Sequence, residues 1–344
     1  MKIAYIGTTF SGSSALSRAE ALGALGHSVD VFDGFPLESR VERWVHGFRR
    51  RSGFGLEHSV NSEVLQAATT SRYDVLWVDK GLNVSPAMVR ALKDQHPELF
   101  VIHYALDDLE IRGNVTPDML RVIAISELVV TTKTHNLEHL RSIGARNVLM
   151  SWQGYDEVRH APPTPQEIDV SLSRRVLFIG AWEQSRASTI ETILQAGLPV
   201  TIISGWFQWQ VLAKQYSNLD LRSSDLFGRE YGIALGSAFV GLGFLRKQAR
   251  DQHTQRSVEI PASGSLLLAE RTDEHSKLFM EGEEALFFSS DAECVTVCQR
   301  LFADRDARES IARAGHARVL RDGYSWKERV RQIVDELIRL GARG

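Results

Sequence analysis

The chain is poor in cysteine, with two in 344 residues, Cys294 and Cys298. Four apart in AECVTVCQRLF, on an expected helix, they read as small buried hydrophobes. A zinc site needs further ligands at suitable spacing, and none stands near. So low a count excludes a disulfide framework and suits a reducing, cytoplasmic setting. No apolar run approaches the ~18 residues that cross a bilayer. The opening MKIAYIGTTF passes straight into a strand-like run, without the apolar core of a secretory signal. A formal net charge of −3 gives no basis for bulk nucleic-acid binding. Nowhere does a G-x-G-x-x-G fingerprint follow a strand, which argues against a nicotinamide or flavin enzyme.

What the chain does have is alternation. Short apolar runs at KIAYIG (2–7), HSVDVFD, YDVLWVD (73–79), LFVIHYAL (99–106), ELVVTT (127–132) and RNVLMSW (146–152) read as strands. Helices are expected at Ala15–Leu25, 38–51, 57–70, Pro86–Gln95 and His135–Ile143. Pro162, Pro163 and Pro165 then mark a linker. The rhythm restarts with strands at 175–180, 198–204, 237–245, Ser265–Ala269 and 284–290. Helices are expected from about Arg186, near Gln208–Gln215, and over 291–302, 305–319 and 325–341. The expected fold is α/β, with two Rossmann-like doubly wound domains facing a cleft. The domains are placed at 1–155 and 175–325, with a linker over 156–174 and a last helix, 326–344, returning to the first domain.

Ligands in such sheets bind beyond the carboxyl ends of the strands, so charged groups there are the candidates. After the first strand, Gly7 and Thr8 open a turn that either offers N–H groups to an anion or is a plain flexible turn. Lys80 ends the third strand. His103 and the pair Asp107–Asp108 lie at the next one, where the carboxylates can bind hydroxyls, act as a base, hold a metal or cap a helix. Val41, Trp44, Val45 and Phe48 form a helical stripe, which suits core packing; its flanking arginines suit an anionic acceptor or a membrane surface. In the second half, Gly180 ends a strand and Arg186 lies near the next helix start, either taking a diphosphate or solvated. The segment 246–270 is the densest. Arg256 and Glu259 share a helix face, and a glutamate there can accept two ribose hydroxyls. Arg250, His253, Thr254 and Arg256 can surround phosphates, unless this is an ordinary polar loop with a surface ion pair. Pro261 requires that helix to be short or kinked just after Glu259.

The run EIPASGSLLLAE, with Gly264 five positions after Glu259, resembles the donor-site helix of two-domain GT-B glycosyltransferases. It is most similar to CgeB-like, spore-maturation-type members, and VDKG (78–81), LDD (106–108), VLFIGAWE (176–183) and LFMEGEEALFF (278–288) agree. The resemblance implies a metal-independent, hexosyltransferase-type enzyme. Its donor would be a nucleotide-diphosphate sugar, with no separate cofactor, and its acceptor a carbohydrate or other hydroxyl-bearing molecule. No nucleic-acid partner is expected, and membrane-surface association is possible but not indicated. In retaining family 4 enzymes two glutamates stand in an E-x7-E arrangement; Glu259 matches the ribose-binding second and Asp251 falls at the first. By this resemblance Glu259, Gly264, Gly180, Arg186, Arg250, Thr254 and Arg256 bind the donor. Asp251, His253, Asp107 and Asp108 are the catalytic candidates, while Gly7, Thr8, Lys80 and His103 face the acceptor.

Two other outcomes fit the same residues. One is a sugar-nucleotide epimerase or hydrolase on this scaffold. The other is a nucleotide-sugar-binding protein without turnover, which Asp251 in place of glutamate allows.

Overall fold

A computed structural model describes residues 1–34 and 59–342. The stripe Val41, Trp44, Val45 and Phe48, and the helix expected over 38–51, lie outside the described residues. The chain forms two compact units, Met1–Trp152 with Lys327–Gly344, and Gln153–Trp326. The proline-rich segment that reads as a linker folds with the second unit. The last helix, Trp326–Arg339, falls almost wholly in the first.

The first unit holds strands β1 (Lys2–Gly7), β2 (Ser28–Asp33), β3 (Val75–Asp79), β4 (Phe100–Ala105), β5 (Leu128–Thr131) and β6 (Val148–Met150). They form one sheet in the order β2-β1-β3-β4-β5-β6, with all five pairings parallel. Apolar runs such as Val75–Asp79 are buried at every residue, as a sheet covered on both faces demands. Helices between strands start where the chain supplies caps: Ser13 accepts from Leu16 N, and Ser85 and Thr116 do the same ahead of Pro86 and Pro117. The helix Pro117–Ile125 has no counterpart in the pattern reading, although its cap, its N1 proline and its apolar spacing are all present.

One face of this sheet carries an aromatic row: Tyr5 stacks on Trp77 at 5.8 Å and Trp77 on Tyr104 at 6.2 Å. Above it lies a buried ion pair. Arg18 donates to Asp79 through Nε at 2.8 Å and Nη2 at 3.1 Å. Tyr5 donates to the same carboxylate at 2.6 Å, and the Arg18 guanidinium sits 4.3 Å from the Tyr104 ring centroid. The buried Arg18 charge is therefore met by a carboxylate and a π face, while Trp77 Nε1 and the Tyr104 hydroxyl have no hydrogen-bond partner among the described residues.

The second unit repeats the plan with β7 (Val176–Ile179), β8 (Val200–Ile203), β9 (Leu219–Arg222), β10 (Val240–Gly243), β11 (Leu267–Glu270) and β12 (Leu286–Phe288). Their order is β12-β11-β10-β7-β8-β9, again parallel throughout. β9 and the helix Gly228–Ser237 have no counterpart in the pattern reading. In both sheets the first strand has its successor on one side and a later strand on the other. That makes the ends of β1 and β7 the switch points where α/β sheets open a crevice. Cys294 and Cys298 are fully buried in the second core.

Candidate functional site

The β7 switch point ends at Gly180, and Arg256 reaches it from the helix Arg256–Ala262. The Arg256 Nε donates to the Ile179 carbonyl at 2.7 Å. A Cβ on Gly180 would stand 3.2 Å from Arg256 Nη2 and 3.0 Å from the Phe178 ring, so glycine leaves room for the guanidinium. Arg186 lies beneath and, of the two readings that its place in the sequence leaves open, is not the solvated one. It is 7% exposed and donates to the carbonyls of Ala181 and Leu245, and it pairs with Glu183 at 2.9 Å. Burial pushes the Arg186 pKa down, and Arg256 and Arg246 push it the same way, opposed by Glu183 and Glu270. Three guanidinium groups thus gather at one strand end.

The loop leading to that helix is tightly determined. Arg250 adopts left-handed backbone at φ 50°, one of two non-glycine residues with positive φ among those described. The Asp251 carboxylate accepts from Arg246 N at 3.4 Å, folding the loop back on itself. Thr272 Oγ1 donates to the Gln252 carbonyl. His253 is 1% exposed with both ring nitrogens engaged: Nε2 accepts from Gln153 N at 3.1 Å, so Nδ1–H faces Glu274 at 2.5 Å. This corrects its expected catalytic place: a histidine so enclosed ties the start of the unit to the loop. Thr254 N donates to Ser257 Oγ, which meets His275 Nε2 at 2.7 Å, while His275 Nδ1 bonds the Glu270 carbonyl. Burial lowers the His275 pKa to about 4.

Glu259 is 7% exposed and accepts from Tyr231 O–H at 2.7 Å. His160 Nε2 stands 3.8 Å from its other oxygen. The helix is short, with Pro261 in its last turn, as the proline requires. Gly264 lies past the far end of this helix from Arg256, in left-handed backbone at φ 86° against Pro162. Its geometry is that of a helix stop rather than a ligand contact. A cavity of about 350 Å³ opens beside this loop at the carboxyl ends of β10, β11 and β12, lined among others by Phe244, Lys247, Glu270, Arg271 and Ser289.

In the first unit, Lys80 is the second residue with strained backbone, at φ 65°, and its amine pairs with Asp107 at 2.9 Å. Both side chains are partly exposed. His103 is not: it is fully buried beneath Gly81, and neither ring nitrogen has a hydrogen-bond partner among the described residues. Burial lowers its pKa to about 3, so it is a neutral core histidine and not the accessible acceptor group expected. Asp108 is also buried and accepts from Glu110 N at 3.0 Å, a local backbone-capping role. His135, absent from the sequence candidates, stands 3.5 Å from it. Among the described residues no group of three metal-ligating side chains stands together. At β1, Gly7 is packed against Tyr5, Ala15 and Asp79, and the Thr8 carbonyl accepts from Ser13 Oγ.

The geometry therefore joins Gly180, Arg186, Arg256 and Glu259 in one unit, and Lys80 with Asp107 in the other. It adds Arg246, Tyr231 and His160, which the sequence reading missed. Tyr231 lies in the overlooked glycine-containing helix, and His160 in a segment whose prolines marked it as linker.

The family described as Glycosyl transferase-like matches residues 184–335. No curated protein matches the chain by sequence. Among solved structures, sucrose-phosphate synthase from Thermosynechococcus elongatus is similar at TM-score 0.70 and 13% identity, over 99% of this chain and 99% of that one. Anabaena HepE, solved with UDP and with UDP-glucose, is similar at TM-score 0.65 and 13% identity, over 98% of this chain and 100% of its own. A glycosyltransferase from Rickettsia africae reaches TM-score 0.66 at 10% identity, over 100% and 99%. The fold is that of the two-domain GT-B glycosyltransferases.

Proposed function

We propose that this protein is a glycosyltransferase that moves a sugar from a nucleotide-diphosphate sugar to a hydroxyl-bearing acceptor. The observation that carries the reading is Arg256 laid across Gly180, with Arg186 and Arg246 close by, at the switch point of the second sheet. In the reaction the bond from the anomeric carbon to the diphosphate oxygen breaks, the acceptor oxygen takes its place, and the acceptor's hydroxyl proton passes to the departing diphosphate. Negative charge grows on the diphosphate, and fixed guanidinium groups stabilise it more in the transition state than in the bound donor. Glu259 lies next to Arg256 on the same helix face and takes the ribose hydroxyls. Asp251, pinned to Arg246, faces the transferred sugar. The Lys80–Asp107 pair meets the acceptor.

HepE binds UDP and UDP-glucose, which supports a uridine donor here. The finer reading is a metal-independent hexosyltransferase of CgeB-like type that retains anomeric configuration. Thermal shifts with UDP, ADP, GDP and their sugar derivatives test the donor class, because a ligand raises the melting temperature by mass action. Glu259→Ala then tests the ribose contact: affinity for the chosen nucleotide falls about tenfold or more. An unchanged affinity would remove Glu259 from the site.

A further inference from the structure

Glu259 is held from two sides by residues far away in sequence. Tyr231, on the helix Gly228–Ser237, donates its hydroxyl to Oε2 at 2.7 Å. His160 approaches Oε1 from the segment that opens the second unit. The orientation of its ring is fixed: Nδ1 accepts from Asp156 N at 2.9 Å, so the ring proton sits on Nε2, which faces the carboxylate. The rings of His160 and Tyr231 also meet edge to face at 5.6 Å.

The segment carrying His160 is anchored to the same unit. Arg229 donates to the Ala161 and Pro162 carbonyls and to Glu167. Gly232 leaves space for the crossing backbone, since a Cβ there would lie 1.9 Å from the Arg159 carbonyl oxygen. Asp156 accepts from Val158 N and Arg159 N and pairs with the Arg159 side chain.

A carboxylate has about four lone-pair sites. Tyr231 fills one on Oε2. At 3.8 Å His160 orients Oε1 electrostatically without occupying a hydrogen-bonding position. Each oxygen therefore keeps capacity for a hydroxyl donor, and the plane of the carboxylate is set before any ligand arrives. That is preorganisation, which removes the ordering cost from binding.

We propose that His160 and Tyr231 are the positioning residues that set sugar specificity within the nucleotide, holding the Glu259 carboxylate so that it accepts the 2′- and 3′-hydroxyls of a ribonucleoside diphosphate. The inference rests on the nucleotide-sugar reading above. Neither residue touches the ligand; both act through Glu259.

The test uses the full chain with UDP, ADP and GDP, followed by the 2′-deoxy form of whichever binds tightest, measured by calorimetric titration. The wild type prefers the ribonucleotide by about tenfold or more, the value of a hydrogen bond to a charged group. Tyr231→Phe, which removes one oxygen, and His160→Phe, which keeps volume, bring that preference below about threefold, measured well below the melting temperature of each variant because the lost hydrogen bonds also cost stability. His160→Gln returns an N–H and restores it. A merely structural role would weaken both nucleotides alike and leave the ratio intact, and that result overturns the proposal. If His160→Phe fails to fold, His160→Asn takes its place: it still accepts from Asp156 N but is too short to reach Glu259. If none of the three nucleotides binds, the nucleotide reading falls and this inference with it. If one binds without regard to its 2′-hydroxyl, the diphosphate site stands and the ribose clamp does not.

Discussion

Arg256 spans the carboxyl end of β7, with its Nε on the Ile179 carbonyl and its Nη2 where a side chain on Gly180 would begin. One guanidinium thus does two things: it satisfies a buried strand end, and it presents charge at the switch point.

Lysine cannot divide itself in this way, because its single ammonium lacks the planar fork. Arg256→Lys keeps the charge but must choose between the carbonyl and the anion. Affinity for a nucleoside diphosphate is expected to fall by about tenfold, and Arg256→Ala by more. Titration calorimetry on the two variants checks the order.

Removing one partner of the Arg18–Asp79 pair leaves a buried charge uncompensated. Arg18→Ala is expected to destabilise the first unit by about 3–5 kcal/mol. Tyr5→Phe, which loses one hydrogen bond to the same carboxylate, costs about 1–3 kcal/mol. Denaturant unfolding of both variants reads the difference. Equal midpoints would contradict the reading of the ion pair as the central term.

Acid stability carries a definite sign. His103 and His275 have folded pKa values pushed down to about 3 and about 4 by burial. The unfolded chain therefore binds protons first, near the ordinary histidine value of about 6.5. The stabilisation from keeping these rings neutral is complete above that pH. It is lost as pH falls toward the folded values, at up to about 1.4 kcal/mol per pH unit for each ring. His103→Leu is expected to flatten this limb and to match or exceed wild-type stability at pH 5, since an unpartnered ring is replaced by an apolar group. Unfolding curves at pH 7, 6 and 5 decide it.

The left-handed backbone at Lys80 costs about 1 kcal/mol for any residue with a Cβ. Lys80→Ala and Lys80→Gly both lose the Asp107 partner, so their difference isolates the backbone. The glycine variant is expected to be the more stable by about 1 kcal/mol, and both to lose acceptor turnover. Melting temperatures that favour alanine would show that the loop relaxes.

Most strands were legible because a sheet covered on both faces needs continuous apolar runs. β9 was not, because LDLR alternates charged side chains that pair outward with Asp169 and with each other. The helix Gly228–Ser237 was hidden by its own glycines, two of which, Gly232 and Gly236, admit the crossing backbone and Pro163. In the site, the spacing of Arg256 and Glu259 on one short helix carried their reading. His103 and His253 were misplaced for a single reason: pattern marks the end of a strand but not how deeply a ring beside it is enclosed. His160 and Tyr231 lie 99 and 28 residues from Glu259, and only tertiary structure brings them together.

The helix Trp326–Arg339 closes the first unit with Val330, Ile333 and Leu337 buried, yet it is made only after the whole second unit. On the ribosome the first 152 residues emerge with that covering absent. The whole second unit must then be synthesised, which takes roughly ten to thirty-five seconds at ordinary elongation rates. Through that interval the second unit can fold as a continuous piece, while the first waits with apolar surface uncovered. Expression of residues 1–152 alone should therefore yield an aggregation-prone fragment, which supplying the terminal segment as a separate peptide would rescue.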